Sequence, residues 1–196
     1  MIEPRKLFGG LGNRMFQGAY IYAKYLDREI PDIYLQDCKY FERHQDIIKR
    51  LYGQNIEFSN YVSLHIRRGD YINNPFYVDL TTTDYYQRAI AEFPRAKFLV
   101  FCADRQEGSN DKNDQRWCVE FLVNTLKISK SRFKINCSES EIEDMNRMAG
   151  CQGHIMANSS FSWWASFIGE GRTIAPKLWF TDGNERVRLL DEWIKI

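Results

Sequence analysis

The 196 residues are 44% apolar and 27% charged, enough oil for a packed core and too much for a disordered chain. At ~150 residues to a typical domain, that length allows one large domain or two small ones. With 27 Lys and Arg against 26 Asp and Glu, the net charge of +1 argues against nucleic acid held by bulk charge, so an anionic ligand needs a local site.

The chain opens polar, and a short strand is expected at Lys6-Leu7-Phe8, ahead of Gly9-Gly10-Leu11-Gly12. A helix over residues 13–26 follows, because Met15, Ala19, Tyr22, Ala23 and Leu26 recur at helical spacing. The polar, proline-broken stretch 27–31 reads as a junction, Tyr34-Leu35 as a strand, and Ile47, Ile48 and Leu51 as a helix ending before Gly53. Residues 61–66 alternate, which predicts a strand with Val62, Leu64 and Ile66 on one face. Thr83 or Asp84 caps a helix that runs to Phe93 and stops at Pro94. The apolar run 97–102 has the pattern of a buried parallel strand, and 105–115 that of a loop. Then come a helix at 117–126, a strand at 133–135, and a helix at 141–150 with Ile142, Met145 and Met148 as its stripe. A strand at 154–157, a helix at 161–168, a strand at 173–175 and a last helical turn or two at 189–194 complete the series. This alternation predicts an α/β fold, a parallel sheet with helices on both faces, whose ligands bind beyond the carboxyl ends of the strands.

No apolar run approaches the ~18 residues of a membrane span, and no signal-like stretch precedes Gly9. Cys38, Cys102, Cys118, Cys137 and Cys151 are odd in number and form no C-x-x-C pair, so a reducing cytoplasm is expected, without structural zinc or a disulfide framework.

Three segments at strand ends carry chemistry. In Gly9-Gly10-Leu11-Gly12-Asn13-Arg14-Met15-Phe16-Gln17, glycines let backbone approach a ligand and free helix N–H groups can hold an anion, although a plain tight turn uses glycine too. In His65-Ile66-Arg67-Arg68-Gly69-Asp70-Tyr71, two arginines at the end of a buried strand need an anion or a carboxylate. Guanidinium forks match phosphate oxygens. Alternation puts His65 and Arg67 on one side and Arg68 on the other, with Asp70 near enough to brace one arginine; an internal ion-pair cluster is the competing explanation. In Ala157-Asn158-Ser159-Ser160-Phe161-Ser162-Trp163-Trp164, small polar residues can cap a helix or donate to phosphate, and the tryptophans pack that helix on the sheet. His44, His65 and His154 have no metal-ligand spacing, and Tyr85 and Tyr86 read as packing.

Together the three segments resemble the bacterial-type alpha-1,2-fucosyltransferases. Gln36-Asp37-Cys38-Lys39-Tyr40-Phe41, Ala175-Pro176-Lys177-Leu178-Trp179 and Trp193 extend the likeness over almost the whole chain. The resemblance implies a GT-B-like fold of two Rossmann-like halves: a reduced N-terminal, acceptor-side half at residues 1–60 and a GDP-fucose-binding domain at 61–196. It implies an inverting transfer of L-fucose from GDP-fucose, the donor substrate, to the 2-hydroxyl of a terminal galactose in an oligosaccharide, with no cofactor and no divalent metal. On the same likeness, Arg67 holds the pyrophosphate, with His65 and Asp70 shaping that catalytic site. Asn158, Ser159, Ser160 and Ser162 bind the GDP moiety, and Gly10, Gly12 and Asn13 approach the donor from the opposite half. The base that deprotonates the acceptor stays open among Asp70, His65, Asp79 and Asp84. The chain departs from the family at Arg14, usually glutamine, and in short segments at 27–32 and 74–83.

Two other functions fit the same residues: a protein O-fucosyltransferase-like enzyme, which the cysteine usage disfavours, and a catalytically silent nucleotide- or glycan-binding module. A cytoplasmic enzyme that builds surface glycans has reason to lie peripherally on the inner membrane. The acceptor glycan and the oligomeric state stay open.

Overall fold

A computed structural model describes residues 7, 9–27, 37–102, 111–138 and 140–196. In chain order its main elements are α1 (Leu11–Asp27), α2 (Gln45–Tyr52), β1 (Ser59–His65), α3 (Tyr85–Ala91), β2 (Phe98–Phe101) and α4 (Asp111–Glu120). They continue with β3 (Phe133–Ile135), α5 (Glu141–Ala149), β4 (Cys151–Ile155), α6 (Ser160–Ile168), β5 (Arg172–Ala175) and β6 (Ile194–Lys195). The strands form one parallel sheet in the order β3-β2-β1-β4-β5-β6. This is the doubly wound order of dinucleotide-binding folds, which reverses direction between β1 and β4 and leaves a crevice there.

Two apolar layers sandwich the sheet. Val62, Leu64 and Ile66 share one face with Val100, Ile155 and Ile174, packed against Tyr86 and Ala89 of α3 and Cys118 of α4. On the other face, α6 brings Trp163, Trp164 and Phe167 against Phe16 of α1, Phe41, Ile48 of α2, and Met145 and Met148 of α5. The described residues before Ser59 contain helices only, and these pack into the same core as α6. Leu7 is not in a strand; the rest of the expected strand at 6–8 and the one at 34–35 lie outside the described residues.

Local chemistry explains the starts of three helices. Ser159 caps α6 by accepting from the Phe161 N–H at 3.3 Å, and Ser140 caps α5. At α3 the N-cap position is Asp84, whose side chain makes no cap bond; the hydroxyl of the preceding Thr83 accepts from the Tyr85 N–H at 3.2 Å instead. The two tyrosines that open α3 hold strand ends: the Tyr86 hydroxyl donates to the His65 carbonyl at 2.9 Å. The Tyr85 hydroxyl donates to that of Met156 at 2.7 Å, with the Ile174 carbonyl at 3.1 Å. Burial raises both phenols well above their ordinary pKa, so they remain donors.

Four expectations change. The last segment is not helical: a turn closed by Trp193 N–H to Leu190 carbonyl (3.2 Å) leads into β6, where the Ile196 N–H donates to the Ala175 carbonyl and the Lys177 N–H to the Ile196 carbonyl along the β5 edge. So short a segment cannot nucleate a helix against that open edge. β4 begins at Cys151, ahead of the expected 154, because Gly153 interrupts its apolar pattern while lying buried in the sheet. α4 begins at Asp111, inside the stretch that reads as loop, and its last turn widens over Phe121–Thr125. Ile142 is 64% exposed, beside Phe58 and Leu99 in a surface groove, so only Met145 and Met148 of the α5 stripe enter the core.

Candidate active site

The crevice between β1 and β4 is where two of the three segments emerge, Arg67 just beyond β1 and Asn158-Ser159-Ser160 just beyond β4. The Tyr71 hydroxyl donates to the Asn158 carbonyl at 3.1 Å, tying one loop to the other. The His65 and Phe161 rings lie 6.0 Å apart, a second contact between them. The glycine segment completes the junction. A Cβ on Gly12 would stand 2.6 Å from the Ser160 carbonyl carbon and 2.7 Å from the Phe161 nitrogen, so α1 meets α6 at a point where only glycine fits. There the Ser160 hydroxyl donates to Asn13 Oδ1 at 3.1 Å.

Gly10 is different: it is exposed, and no atom lies within 4 Å of a Cβ built there. Gly12→Ala is therefore expected to cost about 1–3 kcal/mol of stability through overpacking. Gly10→Ala should stay within about 0.5 kcal/mol, as for an open surface position. Chemical denaturation of both variants checks the contrast, and equal losses would contradict it.

The two arginines reach different neighbours. Arg68 is the braced one: its Nε donates to Asp114 Oδ1 at 2.9 Å, and its guanidinium carbon lies 3.7 Å from the centre of the Trp117 ring. Both partners stand on α4, Asp114 in the stretch that reads as loop and Trp117 in the predicted helix, so the brace on Arg68 comes from Asp114 and was not legible in the sequence. Arg67 lies against Tyr71, with 5.2 Å from guanidinium carbon to ring centre. Asp70 belongs to a short 3-10 turn (Gly69–Tyr71), but its side chain lies outside the described part of the structure.

The polar residues beyond β4 divide by what they touch. The Asn158 side-chain amide donates to the carbonyls of Val78 (2.9 Å) and Trp179 (3.0 Å), holding two passing segments together. The buried Ser162 hydroxyl accepts from the Ala157 N–H and faces the carbonyls of Ala157 and Ser159, each at 3.2 Å. Asn158, Ser159 and Ser162 thus fix the shape of the loop, while Ser160 faces the glycine segment. Of the base candidates, Asp79 accepts from the N–H (2.9 Å) and the hydroxyl (2.6 Å) of Thr81, and Asp84 is exposed, 3.8 Å from Arg88.

His65 is buried, and its Nδ1 has no hydrogen-bond partner among the described residues. Burial first and the nearby Arg67 charge second push its pKa down to about 3. A neutral imidazole that resists protonation to this degree is a weak base at neutral pH. Burial likewise lowers His154 to about 4; its Nδ1 lies 2.9 Å from the Ser63 hydroxyl. The unfolded chain therefore binds protons first as pH falls. The stability contributed by the two neutral rings is complete above the ordinary histidine pKa of ~6.5 and declines below it. At about pH 5.5 each ring should cost roughly 1–2 kcal/mol. Denaturant melts across pH 5–7 should show this slope, and His154→Gln should remove about half of it.

Among the described residues, no group of three His, Cys, Asp or Glu side chains is placed to hold a metal ion. A match to glycosyl transferase family 11 spans residues 10–196. The chain is 29% identical over 192 residues to the Escherichia coli O-antigen biosynthesis glycosyltransferase WbnK, covering 83% of this chain and 59% of that protein. It is 29% identical over 187 residues to an Escherichia coli alpha-1,2-colitosyltransferase, covering 82% of this chain and 60% of the relative. The chain thus spans about three fifths of the length of these relatives. No solved structure matches. With a junction of three segments at the sheet's switch point and a family match over nearly its whole length, the chain belongs to glycosyltransferase family 11.

Proposed function

We propose that the chain transfers L-fucose, with inversion, from GDP-fucose to the 2-hydroxyl of a terminal galactose in a glycan. The junction beyond β1 and β4 carries this proposal. A guanidinium (Arg67) and the amino end of α6 both lie where doubly wound sheets take their nucleotides. Breaking the bond between sugar and diphosphate builds negative charge on the leaving group, and preorganised N–H donors stabilise that charge without a metal. Ser160 and Asn13 border the donor site, Gly10 leaves room for close backbone approach, and Asn158, Ser159 and Ser162 hold the α6 loop in shape. In a GT-B arrangement this sheet is the donor half, and the segment before Ser59 stands on the acceptor side.

Release of GDP from GDP-fucose with lactose as acceptor tests the proposal directly. Release should require both substrates and persist in excess EDTA. Activity that is lost in EDTA and returns with Mn²⁺ would overturn the metal-free chemistry. A second donor has specific support in the relative named as an alpha-1,2-colitosyltransferase. Colitose lacks the 3-hydroxyl of fucose, so GDP-colitose in the same assay separates the two. Tight GDP binding with no turnover of either donor would instead indicate a silent binding module.

A further inference from the structure

We propose that Tyr71 is a positioning residue for Arg67, setting the guanidinium in place for the donor diphosphate; this rests on the assignment of Arg67 to that diphosphate. An arginine side chain has many rotamers, and binding strength depends on how few of them must be given up. Here the guanidinium carbon of Arg67 lies 5.2 Å from the centre of the Tyr71 ring, within cation–π range. That ring is itself immobilised. Tyr77 stacks on it at 3.8 Å with only 12° between planes, and Tyr77 packs in turn on Phe180, 5.5 Å away, where the two backbones form an antiparallel bridge. At its other end the Tyr71 hydroxyl is anchored on the Asn158 carbonyl, in the loop whose side-chain amide is clamped to Val78 and Trp179. Arg67 therefore leans on a ring fixed from two directions, and the loop beyond β4 takes part in placing a side chain that belongs to the loop beyond β1.

Titration calorimetry with GDP and with guanosine, which lacks the phosphates, tests this in wild type, Tyr71→Leu, Tyr71→Phe, Arg67→Ala and the double variant Tyr71→Leu/Arg67→Ala. Tyr71→Leu should weaken GDP about five- to thirtyfold, the fold-change of a cation–π contact, and leave guanosine unchanged. Tyr71→Phe keeps the ring and should lose clearly less. In the Arg67→Ala background, Tyr71→Leu should have no further effect. Equal weakening of guanosine, an undiminished effect in the Arg67→Ala background, or unchanged GDP affinity in Tyr71→Leu would overturn the positioning role alone. Unchanged GDP affinity in Arg67→Ala would overturn the assignment of Arg67 and the proposal with it. Should Tyr71→Leu not fold, Tyr77→Leu, which frees the ring but spares its hydroxyl anchor, replaces it in the cycle with the same expectations.

Discussion

Replacing Arg67 with lysine should cut turnover roughly 100- to 1000-fold, equivalent to about 3–4 kcal/mol of transition-state stabilisation. Charge is conserved in this change; what disappears is the planar fork that, in the proposed reaction, meets two diphosphate oxygens as the leaving group gains charge. Arg68→Lys is the natural control. It breaks the 2.9 Å contact to Asp114 and the stacking on Trp117, and the pair is only 18% and 12% exposed. That variant should lose about 1–2 kcal/mol of stability, on the scale of a charge-assisted hydrogen bond and a cation–π contact, with a smaller loss of turnover. Turnover and melting curves for both variants decide the matter. Near-normal turnover in Arg67→Lys would mean that the diphosphate is held elsewhere.

Trp164→Ala should destabilise the protein by about 3–5 kcal/mol, the usual range for emptying a buried tryptophan site. Trp164 is fully buried, and its ring lies 4.9 Å from Phe16, 5.4 Å from Phe41 and 5.3 Å from Tyr52. Those partners come from α1, the turn before α2, and α2 itself, so one side chain fastens most of the N-terminal segment to α6. Its Nε1 has no partner among the described residues, so Trp164→Phe should cost clearly less: it removes an unsatisfied donor together with the lost volume. Urea denaturation measures both. A lower m-value in Trp164→Ala would show the N-terminal helices coming away first, and a loss under 1 kcal/mol would deny the ring this role.

What the sequence revealed was what repeats locally. Val62, Leu64 and Ile66 alternate because one face of β1 is buried against a helix layer, and that pattern placed the strand and its faces correctly. The continuous run at 97–102 placed β2 for a different reason: that strand is buried on both faces, with Phe98 and Val100 in one apolar layer and Phe101 in the other. Gly153 hid the start of β4, since a buried glycine contributes no hydrophobic signal. The end of the chain misled because a sheet edge, not local propensity, decides its conformation. In the candidate site, residue types and spacings marked the three segments, yet the contacts that join them are non-local. Asn158 lies 87 positions from Tyr71, and Asn13 lies 147 from Ser160. Periodicity carries no information about such pairs. Tyr71 was visible within its segment, but only its geometry against Arg67, Tyr77 and Asn158 distinguishes it from an ordinary packing aromatic.

The paired phenols of α3 make the floor of the crevice optically legible. Tyr85 and Tyr86 are two of 11 tyrosines, and their hydroxyl protons are committed to carbonyls at the ends of β1, β4 and β5. Forming tyrosinate there would place a buried anion against a carbonyl oxygen, so these two groups cannot ionise while the strand ends stay gripped. Burial also raises Tyr52, packed on Trp164 in the other apolar layer, so in an alkaline difference spectrum the late absorbance that persists in Tyr52→Phe reports the moment when the strand ends beneath the crevice come apart.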